Sequence, residues 1–205
     1  MIIIFDLDYT LLDTIKFKDE LAEIFSGRDF KDDYQKYFKD KGISFEVEKY
    51  LAILKSQGGI DEKDIEHYKA GVNQLLRNLD DYLLPDAENV LKRFKKKGDE
   101  LVLITFGDKK WQEEKINHLS IGKYFDKIFF EEKDKRQSEY LKSLGENDEE
   151  VLVINDNIGE AEEMLKILKK GEMRLVDGPY NKKLDDDGKE VRVNKLAELM
   201  PSKSE

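Results

Sequence analysis

The chain has 205 residues, of which 40% are charged and 39% hydrophobic, and its formal net charge is −10. A field of that sign repels nucleic acid and anionic membrane surfaces, and no apolar run approaches the length of a membrane span. The absence of cysteine excludes disulfides, thiolate nucleophiles and cysteine metal sites.

In chain order, the first element is the apolar run Ile2 to Phe5, which leads straight into Asp6. With no basic region or cleavage site ahead of it, the expectation is a cytoplasmic protein without a signal peptide. From about Thr14 to Leu84 the pattern is helical, with no convincing strand and many aromatics: Phe17, Phe25, Phe30, Tyr34, Tyr37, Phe38, Phe45, Tyr50 and Tyr68. This reads as an insert of roughly four helices whose aromatics form a small core of their own. Lys16, Lys18 and Arg28 read as a solvated helix face.

Ala87, Val90, Leu91 and Phe94 then make one helical stripe, opened by Pro85-Asp86 and closed by Gly98. The further apolar runs are Leu101 to Thr105, Ile128 to Phe130, Val151 to Ile154, and Leu175 with Val176. A second stripe, Ile158, Ala161, Met164, Leu165 and Leu168, is closed by Gly171. The runs are continuous rather than alternating, as in strands of a parallel sheet covered on both faces. Strands alternating with helices imply an α/β fold whose site lies at the carboxyl ends of the strands. The acidic stretch Asn181 to Lys189 reads as a solvated turn.

Those strand ends carry the chemistry. Asp6, Asp8 and Thr10 follow the first run at spacings of two, which places them on one side of extended chain. Two carboxylates at a strand tip are costly unless a cation or a reaction uses them. In phosphoryl transfer one carboxylate attacks phosphorus, and the other protonates the departing alcohol and later deprotonates water. The second strand ends in Thr105, whose hydroxyl at a turn before a helix suits phosphate oxygens. The fourth ends in Asn155-Asp156. Asp156 is a hard oxygen ligand for Mg2+, and Glu160 is placed to orient it. Between these ends lie Lys133 and Lys135, ahead of a helix containing Tyr140, Leu141 and Leu144.

Asp6-Leu7-Asp8-Tyr9-Thr10-Leu11-Leu12-Asp13-Thr14, Thr105, Tyr124-Phe125-Asp126 and Asn155-Asp156 through Glu160 together resemble the haloacid dehalogenase superfamily. The resemblance implies a Rossmann-like core, residues 1–13 and 85–205, with a four-helix cap domain at 14–84. It implies Asp6 as nucleophile and Asp8 as general acid/base, with a pKa raised from about 3.9 to serve as a donor. Mg2+ would be held by Asp6, the Asp8 carbonyl and Asp156. Thr105 and a lysine, Lys135 or Lys133, would bind the phosphoryl group. Dehalogenases of the family lack the second aspartate, so the implied activity is a magnesium-dependent phosphatase acting on a small phosphorylated metabolite. A sugar phosphomutase and a non-catalytic phosphate- or partner-binding protein stand as alternatives, and the oligomeric state is open.

Overall fold

The computed structural model describes residues 1–132, 138–179 and 193–199. All five expected strands are present: β1 (Ile2–Phe5), β2 (Glu100–Phe106), β3 (Lys127–Glu131), β4 (Glu150–Asn155) and β5 (Lys170–Val176). A short sixth strand, β6 (Val193–Asn194), was not legible from the sequence. All pairings are parallel, in the order β3-β2-β1-β4-β5-β6.

The continuous apolar runs serve both faces of this sheet. Ile3, Phe5, Leu101, Leu103, Leu152 and Ile154 pack into one hydrophobic cluster. Their alternates Ile2, Ile4, Val102, Ile104, Val151 and Val153 pack into the other. β1 is buried at every residue, and each such side chain contributes roughly 1.5–3 kcal/mol. β1 is also where the strand order reverses, between β2 and β4, which is where an open α/β sheet forms its crevice.

Within segment 14–84, after β1, lie four α-helices, α1 (Thr14–Ile24), α2 (Phe30–Tyr37), α3 (Val47–Ser56) and α4 (Glu62–Arg77). Their aromatics do form a shared core: Phe25 meets Phe30, Tyr50 and Tyr68 at centroid distances of 5.4, 5.0 and 4.9 Å. That core is not sealed from the sheet, because Phe17 and Phe45 contact Trp111 at 6.2 and 5.8 Å. The two chain crossings pair with each other. The Asp13 N–H donates to the Tyr82 carbonyl at 2.7 Å, and the Leu84 N–H to the Leu11 carbonyl at 2.9 Å.

The remaining α-helices among the described residues are α5 (Ala87–Lys96), α6 (Lys109–His118), α7 (Glu139–Glu146) and α8 (Ile158–Leu165). α5 buries its predicted stripe, ends on Arg93, Lys95 and Lys96, and stops before Gly98 at φ 82°, where cations and a left-handed glycine both favour termination. The expected stop of α8 at Gly171 is incorrect. α8 ends at Leu165, and Gly171 lies within β5. There an added Cβ would come within 2.6 Å of Leu165 and 3.1 Å of Leu168. Close packing of the turn onto the strand, not capping, is what favours glycine there. The stretch Asn181 to Lys189 lies outside the described residues.

Candidate active site

The segment after β1 brings its carboxylates together by curling, not by the extended alternation expected from the spacing. The Leu7 carbonyl accepts from the N–H groups of Thr10, Leu11 and Leu12 at 3.3, 2.9 and 3.1 Å. Tyr9 adopts φ 62°, a left-handed backbone. Asp6 stays on the sheet through its N–H to the Ile154 carbonyl, 3.1 Å. Its side chain is 8% exposed and faces a cleft of about 720 Å3.

Asp8 faces the same cleft and is held from three directions. Lys115 Nζ donates to Oδ1 and Oδ2 at 2.8 and 2.7 Å. Gln112 Nε2 donates to Oδ2 at 3.1 Å, and the Thr14 hydroxyl to Oδ1 at 2.8 Å. Burial alone pushes this carboxyl up. The adjacent Lys115 ammonium and the three donors outweigh it and hold the pKa down at about 2. The raised pKa expected for a proton donor is therefore not found, because the charged form has a buried cation beside it.

At the end of β4, Asp156 is buried. Its N–H donates to the Thr10 hydroxyl at 3.0 Å, and that hydroxyl lies 3.4 Å from Asp156 Oδ1. Thr10 thus locks the β1 and β4 exits together. Asn155 Nδ2 donates to Glu160 Oε2 at 3.3 Å, and the Asn155 Oδ1 accepts from the Asn157 N–H. Asp156 and Glu160 also line the cleft. Thr105, at the β2 end, is fully buried and does not itself line the cleft, although its neighbour Phe106 does, and its hydroxyl has no hydrogen-bond partner among the described residues. Lys133 and Lys135 lie outside the described residues, as does the segment between them.

Among the described residues no cluster of three or more His, Cys, Asp or Glu side chains is placed to hold a metal ion. The expected donor set is smaller. It comprises the carboxylates of Asp6 and Asp156, 8% and 2% exposed and lining one cleft, with the Asp8 backbone carbonyl. Hard oxygens and only two carboxylates suit Mg2+, which keeps several waters and takes the rest from substrate phosphate.

Lys115, Gln112 and Lys49 escaped notice in the sequence. A signal was present: Asp108, Trp111, Gln112, Lys115, Ile116 and Leu119 recur at helical spacing, and all six are buried. Three polar residues on a buried stripe call for partners. Asp108 caps α6 by accepting from the Trp111 N–H at 3.1 Å, and it forms an ion pair with Lys49 of α3. Lys110 adds contacts to Glu48 and Glu46 at 2.9 and 3.7 Å. Lys18, read as solvated, lines the cleft and donates to the Tyr9 hydroxyl at 2.9 Å.

A parallel α/β sheet with acidic ends on β1 and β4, facing a helical insert placed after β1, defines the haloacid dehalogenase-like class. The family model for haloacid dehalogenase-like hydrolases matches residues 3–167, so the chain belongs to that family. Similar solved structures include a protein assigned as a beta-phosphoglucomutase from Thermotoga maritima (21% identity, TM-score 0.61, covering 97% of this chain and 96% of that one). Another is a haloacid dehalogenase-like hydrolase from Burkholderia xenovorans (15% identity, TM-score 0.73, 97% and 94% covered). A third is an HAD-hydrolase of Bacillus subtilis bound to magnesium (13% identity, TM-score 0.50, 85% and 86% covered). No curated protein matches the chain significantly.

Proposed function

We propose that the chain is a magnesium-dependent phosphatase that hydrolyses a small phosphate monoester through an aspartyl-phosphate at Asp6. The observation that carries this reading is the convergence of Asp6, Asp8 and Asp156, from two adjacent strand ends, on one cleft. Asp8 weighs against dehalogenation. A halide departs as an anion and needs no proton, whereas an alkoxide leaving group does.

In this reading an Asp6 oxygen forms a bond to phosphorus as the ester P–O bond breaks, and the departing oxygen takes a proton from Asp8. Asp8 then removes a proton from a water molecule, which attacks phosphorus, frees phosphate and restores Asp6. Mg2+ bound by Asp6, Asp156 and the Asp8 carbonyl supplies charge stabilisation for the phosphoryl oxygens. The Thr105 hydroxyl supplies a donor to them. Segment 14–84 serves as the cap, excluding water.

Asp8 must first acquire its proton. With its pKa held down at about 2, Asp8 is ionised at neutral pH. A phosphate dianion arriving beside it raises that value and competes for Lys115. The ligand-free arrangement thus suits the base half of the cycle, and substrate charge prepares the acid half.

The test is phosphate release from p-nitrophenyl phosphate with and without Mg2+, using wild type and Asp6→Asn. Magnesium-dependent release, lost by far more than tenfold in the variant, is expected. A loss below about tenfold, or about 1.4 kcal/mol, is too small for a nucleophile. Isomerisation of a sugar phosphate with little free phosphate would identify a mutase instead.

A further inference from the structure

Among the described residues four large apolar side chains are exposed: Met1, Ile15, Ile43 and Phe106, at 52, 55, 48 and 42%. A lone exposed apolar residue needs no explanation. Three of these four, however, line the one cleft that holds Asp6, Asp8 and Asp156. They come from separate segments. Ile15 is in the first turn of α1, beside the Thr14 that holds Asp8. Ile43 lies in the connection from α2 to α3, and Phe106 ends β2 next to Thr105. The aromatic residues Tyr34, Phe38 and Phe45 continue this wall. Exposed apolar side chains that share one cleft with a set of carboxylates match a ligand with an ionic head and an apolar body.

A polyol requires hydroxyl partners fixed at several angles, and two of the charged side chains on this wall, Lys18 and Asp19, are already engaged. Lys18 donates to the Tyr9 hydroxyl, and its ammonium lies 5.2 and 5.5 Å from the ring centres of Tyr9 and Tyr34. Asp19 is paired with Lys31 at 3.1 Å. We infer that the cleft selects the phosphate monoester of an apolar alcohol, alkyl or aryl, over that of a polyol, with the alcohol packed against Ile15, Ile43 and Phe106. This rests on the phosphatase reading above and names its substrate class.

The experiment compares kcat/KM for ethyl, butyl and hexyl phosphate, whose leaving groups have similar basicity, with glycerol 3-phosphate and glucose 6-phosphate. A rise of roughly two- to fourfold per added methylene is expected, with both polyol esters below hexyl phosphate. In Ile15→Ser and Ile43→Ser, both at exposed positions, the dependence on chain length should flatten. A flat series in wild type, faster turnover of the polyol esters, or an undiminished slope in both variants overturns the inference while leaving the phosphatase reading standing. Absence of magnesium-dependent phosphate release from every ester, p-nitrophenyl phosphate included, removes that reading and the inference with it.

Discussion

The Lys115 ammonium stands 2.8 and 2.7 Å from the two oxygens of Asp8, across 107 residues of chain, with the lysine side chain only 3% exposed. This pair fixes the second acidic side chain of the site, although the Asp8 side chain keeps 22% exposure to the cleft. Removing one partner strands a charge, and because Asp8 still reaches solvent the cost is about 2 kcal/mol, below that of a fully buried pair.

Lys115→Met should therefore lose about that much stability at pH 7. Asp8 has a folded pKa depressed from 3.8 to about 2. Its contribution of about 2 kcal/mol is thus present above 3.8 and disappears as pH falls toward 2. In the variant, burial acts without the opposing cation, so acidification relieves the defect and the gap to wild type narrows. Urea unfolding of metal-free protein at pH 7 and pH 4 measures both effects. A neutral-pH loss under 1 kcal/mol would show that the pair is not formed.

Thr105 is a buried hydroxyl with no partner among the described residues. Replacing a hydroxyl that makes no bond with an isosteric methyl costs little stability. Thr105→Val is expected to unfold within about 0.5 kcal/mol of wild type yet lose at least about tenfold in kcat/KM, whereas Thr105→Ser retains activity. Parallel losses of stability and activity would assign this residue to packing.

Asp156→Asn keeps a side chain able to bond to Thr10 but removes the charge. The concentration of Mg2+ giving half-maximal phosphate release should rise by about tenfold or more. An unchanged titration excludes Asp156 from the metal site.

Lys49 and Asp108 clasp α3 to the start of α6 beside Trp111, the only tryptophan in the chain. Burial raises the Asp108 pKa, but the Lys49 ammonium and the Trp111 N–H bring it below the usual 3.8. The clasp is thus charged above that value and weakens as pH falls below it. Lys49→Ala should make Trp111 more accessible to acrylamide at neutral pH, and wild type should match it only in acid. Equal quenching of the two proteins at pH 7 would show that the clasp does not govern access.

The strand ends were legible because each is a short apolar run stopping at a polar residue, and the sheet simply aligned them. Asp6 and Asp156 needed no more than that. Lys115 and Gln112 were harder to see, because a lysine on a helix usually means solvent. Only its place on a stripe with Trp111 and Ile116 marks this one as buried.

By itself, the sequence determined the parallel sheet, the helical insert and the identity of the acidic strand ends. These follow from local periodicity and from the cost of leaving carboxylates at apolar termini. The tertiary structure decided how those groups are charged and what surrounds them. Asp8 meets Lys115, and Ile15, Ile43 and Phe106 meet over one cleft, only when segments distant in the chain pack together. A carboxylate's pKa and a cleft's polarity depend on neighbours in space, which spacing along the chain does not specify.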